Sequence, residues 1–429
     1  MKKWFVALVL TMQISAISAD PFDVQSPPVT EMVQSLLELQ QAGKLDGTAL
    51  IANGTENVLI YDNSKEKLDP AQGLHGQYFL GSCGKQMMAV ALLRALYEQS
   101  GNKVVATQKE LQRPLIDFLP PSDPTWANGV PEWTSRVTLH QLLTHRSGIP
   151  DFTTFPQFFE KNSEGKQFEE SPHQTADFLK IIQGQPLDFE PGTKEAYSNT
   201  GYTLIKEVIR AITKMPAEEY MNSTLFSKLG MHDTKAIPKG TWHELHEQYD
   251  TTHLLKPLRY DPTQATEDIY LTTFFPDSAG SGPITIVSTA IDLLKWNLAL
   301  HRDYECLPKE LYEWMVRPFS KGPTGHGYGY GIAIEQTQFG IAYSHHSSSC
   351  SIFYIPSLSA SLIALNHVSY DWDKVEPLIQ DLLSQHVAAG MSRSEAETQA
   401  VQEILQQYPV KLRGHEAINA IFSKFLVSF

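Results

Sequence analysis

The stretch FLGSCGKQMMAVALLRALYE, residues 79–98, joins a polar start to a hydrophobic helix. In its first half, Ser82 and Lys85 are three residues apart, so their side chains share one face if the helix begins at Ser82. Its second half spaces apolar residues by three and four, which predicts one buried stripe. The stripe consists of Met88, Ala91, Leu92, Ala95 and Leu96.

Ser82 and Lys85 together are candidates for a nucleophile and its base. A serine hydroxyl needs a base within hydrogen-bond reach to attack at neutral pH. A partly buried lysine loses its proton more easily than an exposed one and can serve as that base. The N-terminus of a helix also suits the anion that develops at a substrate carbonyl. The structural alternative is an N-cap serine followed by an exposed lysine.

Two further segments offer partners for such a pair. Tyr197 and Asn199 lie just before a helix predicted near Thr200, where a phenol can relay a proton and an amide can hold substrate. His345 and Ser347 lie at the end of a predicted strand and could offer an imidazole donor and a backbone N–H. The structural alternatives are a turn tyrosine, an N-cap asparagine and polar residues at an exposed strand end.

The composition of the chain limits its partners. It has 429 residues, 42% of them hydrophobic, and a formal net charge of -14. This length allows a large core with a second subdomain. The acidic balance argues against nucleic acid as a partner. HELHE at residues 243–247 lacks the spacing of the HExxH zinc motif, and we interpret it as a solvated helix or loop face. We expect no metal and no cofactor.

The N-terminus has the pattern of a secretory signal. Two lysines precede the apolar run Trp4–Ile14, and small residues lead up to Ala19. This pattern predicts a signal peptide over residues 1–19 and a periplasmic or secreted protein. The alternative is an uncleaved N-terminal anchor. No second apolar run of about 18 residues follows, so we expect no stable membrane span after cleavage.

Strand patterns occur at both ends of the chain. GTALIANGTENVLIY, residues 47–61, contains Asn53-Gly54, a strong hairpin signal. From Gly327 onward, short apolar runs separated by turn residues predict an antiparallel sheet. We therefore expect an α/β (α+β) fold, with one antiparallel sheet built from both chain ends, flanking helices and a mainly helical domain between them.

Two of the intervening helices have recognisable starts. Thr138 with Gln141, and Thr289 with Asp292, have the spacing of a capping box, in which each side chain bonds the other residue's backbone N–H. Both pairs precede apolar residues at helical spacing. We therefore predict a complete capping box at each position.

Six segments in a fixed order resemble the serine β-lactamase and penicillin-binding-protein superfamily, specifically its class C-like branch. They are YFLGSCGKQMMAVALL, TLHQLLTHRSGIPDF, FEPGTKEAYSNTGYTLI, LFSKLGMHDT, SAGSGPITIVSTAIDLLKW and GYGYGIAIE. The resemblance covers about residues 30 to 370 and implies the β-lactamase/transpeptidase-like fold.

The resemblance also implies roles for the candidate residues. Ser82 would be acylated by substrate, and Lys85 and Tyr197 would share the general base and acid roles. Asn199 would bind the substrate amide. Water would then hydrolyse the ester formed at Ser82.

The third motif departs from the family pattern. By the resemblance, His345 stands where the family has Lys-Thr-Gly or His-x-Gly. The usual glycine is replaced by Ser347, or by Ser348 if His346 is the equivalent residue. By resemblance, the oxyanion hole would combine the Ser82 N–H with one from Ser347 to Ser349. A histidine in place of lysine weakens binding of the carboxylate that β-lactams carry. The expected substrate is therefore a small ester, amide or peptide, cleaved by an esterase or D-amino-acid peptidase or carboxypeptidase activity. The alternative is a catalytically silent domain used for binding or assembly.

Domain limits follow from these patterns. We expect a signal peptide over residues 1–19, a β-lactamase-like serine hydrolase domain over residues 20–390 and a helical extension over residues 391–429. The sequence leaves the oligomeric state open.

Two cysteines and one histidine lie close to these motifs. Cys83 follows Ser82 directly, and Cys350 follows the third motif. If both motifs line one cleft, Cys83 and Cys350 could form a disulfide, the alternative being two small buried residues. His145 lies in the segment that resembles the family's LLTH motif, and we interpret it as a packed, hydrogen-bonded residue rather than a base.

Overall fold

The computed structural model describes most of the chain. The described residues are 47–54, 57–63, 76–159, 174–237, 258–260, 284–321, 327–347, 349–366, 368–370 and 372–391, with single positions at 32, 34, 38, 396, 399, 400 and 403. The predicted signal peptide, the HELHE segment and the helices predicted after residue 391 lie outside these ranges, so the domain limits stay predictions. Within the described part of the chain, no helix combines the length and the apolar character that a bilayer crossing requires.

One eight-stranded antiparallel sheet joins the two ends of the chain. Its strands, in spatial order, are β2 (Asn57–Asn63), β1 (Gly47–Asn53), β12 (Ala360–Leu365), β11 (Cys350–Ile355), β10 (Gly340–His346), β9 (Ala333–Thr337), β8 (Gly327–Tyr328) and β7 (Ser320–Lys321). The N-terminal hairpin formed by β1 and β2 pairs with β12. The predicted sheet built from both chain ends is therefore confirmed.

The hairpin turn lies where the Asn53-Gly54 signal predicted it. Asn53 pairs with Asn57 across the hairpin. Gly54 has a φ of +63°, a left-handed conformation that glycine adopts without steric cost. Its N–H donates to the Ser359 carbonyl at 3.1 Å, which ties the hairpin to the neighbouring β11–β12 connection.

Two smaller strand groups accompany the main sheet. The first has the order β3 (Tyr78–Phe79), β6 (Thr285–Ser288), β4 (Lys235–Ile237), and the second pairs β5 (Leu258–Tyr260) with β13 (Val368–Tyr370) in parallel. Strand β3 leads directly to Ser82, so the first group fixes the approach to the nucleophile candidate.

The described part of the chain also contains ten α-helices, which lie between and after the strands along the sequence. They are α1 (Gly84–Gln99), α2 (Val104–Glu110), α3 (Leu139–Leu143), α4 (Pro156–Phe159), α5 (Thr175–Ile181), α6 (Asn199–Thr213), α7 (Ala217–Met221), α8 (Ala290–Asn297), α9 (Lys309–Met315) and α10 (Trp372–Ala388). Residues 114–136 carry short 3-10 helices at Leu115–Asp117, Pro124–Trp126 and Glu132–Ser135.

Helix α1 lies at the centre of the core. It was predicted to bury one stripe, but every residue from Gly84 to Leu93 is buried. Leu50, Ile352 and Ile363 of the main sheet belong to the same hydrophobic cluster as α1 and α6. Because α1 packs between the sheet and the helical layer, its first turns have no solvent-facing side. This position explains how Lys85 comes to be buried.

The two predicted capping boxes have different outcomes. At α3, Gln141 N donates to Thr138 Oγ1 at 3.3 Å and Thr138 N donates to Gln141 Oε1 at 2.9 Å, so the box is complete. At α8, Asp292 N donates to Thr289 Oγ1 at 3.2 Å, but the Asp292 carboxylate accepts from Asp233 N at 2.9 Å instead of capping the helix. The predicted bond from Thr289 N to the Asp292 carboxylate was therefore wrong, because the carboxylate accepts from the backbone of Asp233 instead.

Gly148 permits the close contact between the segment after α3 and the chain leading to Tyr197. Its φ is +74°, its carbonyl accepts from Asp188 N at 2.8 Å, and an added Cβ would lie 2.1 Å from the Phe189 carbonyl oxygen. Since both sides of this contact are backbone, a side chain cannot be accommodated by a rotamer change.

We expect Gly148→Ala to lower the free energy of unfolding by about 3 kcal/mol, because strain and overlap add. Gly101→Ala is the matched control, since its φ is +66° but nothing lies within 4 Å of an added Cβ. That variant should lose only about 1 kcal/mol. Urea titration of both variants measures the difference, and equal losses would contradict the role assigned to the Phe189 contact.

Candidate active site

Ser82 is positioned by a short 3-10 turn at the start of α1. Leu80 N donates to the Ile286 carbonyl at 2.9 Å, which fixes the end of β3. The 3-10 turn covers Gly81–Cys83, and α1 begins at Gly84 rather than at Ser82. The spacing of three residues is kept across this junction, so Lys85 still lies beside Ser82.

Four of the predicted site residues form one hydrogen-bonded group. Lys85 Nζ lies 3.0 Å from Ser82 Oγ and donates to Asn199 Oδ1 at 2.8 Å. The Tyr197 hydroxyl donates to Ser82 Oγ at 2.8 Å. Ser82 and Asn199 are buried, and Lys85 is only 1% exposed. The Ser82 hydroxyl therefore has two proton-carrying groups within direct reach.

Burial shifts the pKa values of Lys85 and Tyr197 in opposite directions. Burial lowers the pKa of Lys85 to about 7, and the opposing effects of Asp151 and Cys83 are smaller. Burial raises the pKa of Tyr197 above its usual value, while its bond to Ser82 acts the other way. Tyr197 as a whole is 45% exposed, but its hydroxyl bonds to buried Ser82. At neutral pH, Lys85 is thus the group able to accept a proton and Tyr197 is a donor.

His145 bonds the residues before and after Tyr197 and packs against the Tyr197 ring. Its carbonyl accepts from Ala196 N at 2.9 Å, and its Nδ1 accepts from Ser198 N at 3.2 Å. Its ring centroid lies 4.3 Å from that of Tyr197. Burial, followed by the Lys85 charge, lowers the pKa of His145 well below its usual value, so the ring is neutral. His145 is packed and hydrogen-bonded, as the sequence indicated.

Asp151 is part of the site although sequence reasoning did not single it out. Its Oδ2 accepts from Asn199 N at 3.2 Å and from Asn199 Nδ2 at 2.9 Å. The residue is the next to last of the segment TLHQLLTHRSGIPDF, and it also caps the 3-10 helix Phe152–Thr154. A lone aspartate in a loop carries no signal by itself, and its partner lies 48 residues further along the chain.

His345 is buried at the end of β10 and has a defined tautomer. Its Nδ1 lies 2.9 Å from the Gly331 carbonyl, which can only accept, so Nδ1 carries the proton. Burial, followed by the Lys85 charge, lowers the pKa of His345 to about 3. The imidazole is therefore neutral at pH 7, with the Nε2 lone pair as its remaining polar function. The sequence had suggested a donor at this position.

Gly331 permits this arrangement. Its φ is +67°, and an added Cβ would lie 2.6 Å from the Lys85 carbonyl oxygen. The backbone at Gly331 thus lies against the first turn of α1 while its own carbonyl accepts from His345. One glycine links the nucleophile helix to the third motif.

Ser347 begins a tight turn between β10 and β11. Its N–H donates to the Cys350 carbonyl at 2.8 Å, and its Oγ accepts from Ser349 N at 3.2 Å and from Cys350 N at 2.9 Å. Two of the amides predicted for the oxyanion hole, at Ser347 and Ser349, are thus used inside the turn. Position 348 lies outside the described residues. A substrate contact by Ser347 stays a prediction.

The two cysteines beside these motifs are neighbours but are not bonded to each other. All three cysteines are free. The Cys83 thiol lies 3.2 Å from the carbonyl oxygens of His345 and Cys350 and donates to them. The hypothesis of a Cys83–Cys350 disulfide is therefore not supported, and the alternative of two small buried residues describes the structure.

We expect the denatured, unreduced protein to take up three alkyl groups from iodoacetamide. Each of the three thiols is free in the folded structure, and prior reduction should leave the mass of the alkylated protein unchanged. Uptake of one group before reduction and three after it would show that two cysteines are paired.

A comparison of the sequence with family models identifies the class of this site. The model described as Beta-lactamase matches residues 38–371, which is most of the chain and includes every site residue discussed above. The chain belongs to the Beta-lactamase family. Its position in this family confirms the predicted superfamily and the predicted enzyme class, a β-lactamase-related serine hydrolase.

Curated relatives carry names within the same family. A "Putative D-alanyl-D-alanine carboxypeptidase" of Salmonella agona (strain SL483) is 28% identical over 258 residues, which cover 56% of this chain and 56% of the relative. A protein of the same name from Salmonella typhimurium (strain LT2) is 33% identical over 104 residues, 24% of this chain and 23% of the relative. The chain thus spans about half or less of the length of these relatives.

Several solved structures share the fold of this chain. A penicillin binding protein from Bacillus halodurans superposes with a TM-score of 0.61 at 22% identity, covering 81% of this chain and 98% of its own. D-amino acid amidase from Ochrobactrum anthropi SV3, complexed with L-phenylalanine amide, superposes with a TM-score of 0.59 at 19% identity, covering 89% and 98%. At these identities the likeness concerns the fold, and it confirms the predicted β-lactamase/transpeptidase-like architecture.

Proposed function

We propose that the protein is an exported serine hydrolase that forms a covalent acyl-enzyme at Ser82. The observation that carries this proposal is the contact of Ser82 Oγ with Lys85 Nζ at 3.0 Å and with the Tyr197 hydroxyl at 2.8 Å. A nucleophile that touches both a base and an acid can exchange protons without moving. Membership of the Beta-lactamase family supports the same assignment.

The proposed reaction follows from the charges of these groups. Ser82 Oγ attacks the substrate carbonyl carbon while its proton passes to neutral Lys85 Nζ. The bond to the leaving amine or alcohol then breaks, and that group takes the proton of the Tyr197 hydroxyl, which Tyr197 recovers from Lys85. Water next attacks the acyl carbon and gives a proton to neutral Lys85 Nζ. The bond to Ser82 Oγ then breaks, Ser82 Oγ takes that proton from Lys85, and the acid is released.

The neutral His345 indicates which substrates fit. A substrate ending in a carboxylate needs a cation or several donors when it leaves water. His345 supplies no positive charge at pH 7, and its Nδ1 proton is used by Gly331. We therefore propose esters and amides, including D-amino-acid amides and peptides, as better substrates than β-lactams or other compounds with a carboxylate beside the scissile bond.

A matched pair of substrates tests this proposal. N-acetyl-D-alanyl-D-alanine amide and the corresponding free acid differ only in the C-terminal carboxylate. We expect kcat/KM to be at least about tenfold higher for the amide, which corresponds to about 1.4 kcal/mol. p-Nitrophenyl acetate and a chromogenic cephalosporin extend the panel. Faster cleavage of the acid or of the cephalosporin would contradict the proposed substrate class.

Export is the part of the proposal that rests on the N-terminal sequence alone. The pattern of residues 1–19 favours cleavage after Ala19. The mass of the protein recovered from the periplasm or the medium should match a chain beginning at Asp20. Full-length protein retained in the membrane fraction would instead favour the uncleaved anchor.

A further inference from the structure

Asp151 links two segments at the edge of the hydrogen-bonded group. Its Oδ1 accepts from Thr153 N at 3.1 Å, which caps the 3-10 helix that follows. Its Oδ2 accepts both the backbone and the side-chain N–H groups of Asn199, at 3.2 and 2.9 Å. One carboxylate therefore holds the loop after α3 and the N-terminus of α6 together.

The chemistry of these bonds decides how Asn199 is oriented. A side-chain amide has an acceptor end and a donor end, and a carboxylate can only accept. Asp151 therefore selects the orientation in which Asn199 Nδ2 faces the carboxylate. The opposite end, Oδ1, then faces Lys85 Nζ at 2.8 Å. With Asp151 removed, no bond from this loop distinguishes the two orientations.

The charge of Asp151 acts on the same lysine. Burial lowers the pKa of Lys85, and the nearby Asp151 carboxylate is the largest effect in the opposite direction. The titratable groups around Lys85 are Asp151, Cys83, Tyr197, Tyr202, His145 and His345. Both histidines are neutral and both tyrosines keep their protons at pH 7. Among these described groups, Asp151 raises the pKa of Lys85 most, and Cys83 raises it less.

We infer that Asp151 is a positioning residue of the proposed reaction, because its carboxylate orients the Asn199 amide so that Asn199 Oδ1 holds Lys85 Nζ beside Ser82 Oγ. The inference rests on the proposed function of Ser82 and Lys85. It gives Asn199 a second role besides the predicted binding of a substrate amide, since its carbonyl is occupied by Lys85.

The rate of Ser82 labelling by a fluorophosphonate, measured from pH 5 to 9, tests the charge of Asp151 without knowledge of the substrate. In the wild type, the rate should rise through pH 7 as Lys85 loses its proton. In Asp151→Asn, the midpoint should move to lower pH because the negative charge is gone. The plateau should fall about 10- to 100-fold because the lysine is less well held. Asp117→Asn, a surface variant that disrupts a pair with Arg113, is the matched control and should keep the wild-type profile.

Suppose that wild-type Ser82 is labelled and that Asp151→Asn leaves the pH midpoint of the labelling rate unchanged. This result would overturn the inference about Asp151 but not the proposed function of Ser82. A wild type that is not labelled at all would overturn the proposed function. In that case the orientation of Asn199 is still testable, because a crystal structure of Asp151→Ala should show Asn199 Oδ1 displaced from Lys85 Nζ beyond 3.5 Å. Retention of the 2.8 Å contact in that variant would overturn the inference independently of activity.

Discussion

Ser82→Ala should abolish hydrolysis of p-nitrophenyl acetate, with a loss of kcat/KM of about 10⁴-fold or more. The variant keeps the fold of the 3-10 turn but has no atom that can form the acyl-enzyme. The adjacent Cys83 cannot take over, because its buried thiol donates to the carbonyl groups of His345 and Cys350. The measurement is steady-state kinetics of the purified variant against the wild type.

Ser135→Ala is the control for this substitution, since its hydroxyl lies at the surface and donates to the nearby Glu132 carbonyl. It should retain wild-type activity. If Ser82→Ala also behaved like the wild type, the observed hydrolysis would not come from this site. The alternative of a catalytically silent domain would then describe the protein better.

Lys85→Met should reduce kcat/KM by about 10²- to 10⁴-fold, because it removes the proposed general base while keeping a side chain of similar length. The wild-type profile of kcat/KM against pH should rise through about pH 7, where the buried Lys85 becomes neutral. The residual kcat/KM of the variant should not show this rise near pH 7.

The pH profile separates a chemical role of Lys85 from a structural one. A variant that is less active only because less of it folds would keep the wild-type pH dependence. Circular dichroism should show that Lys85→Met is folded, because removal of a buried ammonium relieves its desolvation. A retained step near pH 7 would contradict the assignment of Lys85 as the base.

The elements set by local sequence were predictable. Asn53-Gly54 marked the hairpin, and the Thr138–Gln141 pair marked the start of α3, because each depends on residues within a few positions of one another. The Thr289 capping box failed at its second bond because Asp292 is engaged by Asp233, 59 residues away along the chain. A local sequence pattern cannot show that a residue far along the chain will bind the same carboxylate.

In the candidate site, too, residues brought together by local spacing were predictable, and residues brought together by the fold were not. Ser82 and Lys85 were recognisable because three residues of helical spacing bring them together. Tyr197 is 115 residues from Ser82. Its place before a helix made it a candidate, but its general acid and base role came from the resemblance to a family. Asp151 was missed, and so was the tautomer of His345, because both depend on which backbone groups lie opposite them in the folded chain.

The most direct test of the central claim is the location of the covalent adduct. Wild-type protein treated with a fluorophosphonate and digested with trypsin should carry the adduct on the peptide Leu68–Lys85, in which Ser82 is the only serine. Labelling should be absent in Ser82→Ala. An active wild type whose adduct maps to another peptide, or that hydrolyses esters without forming any adduct, would contradict the acyl-enzyme at Ser82.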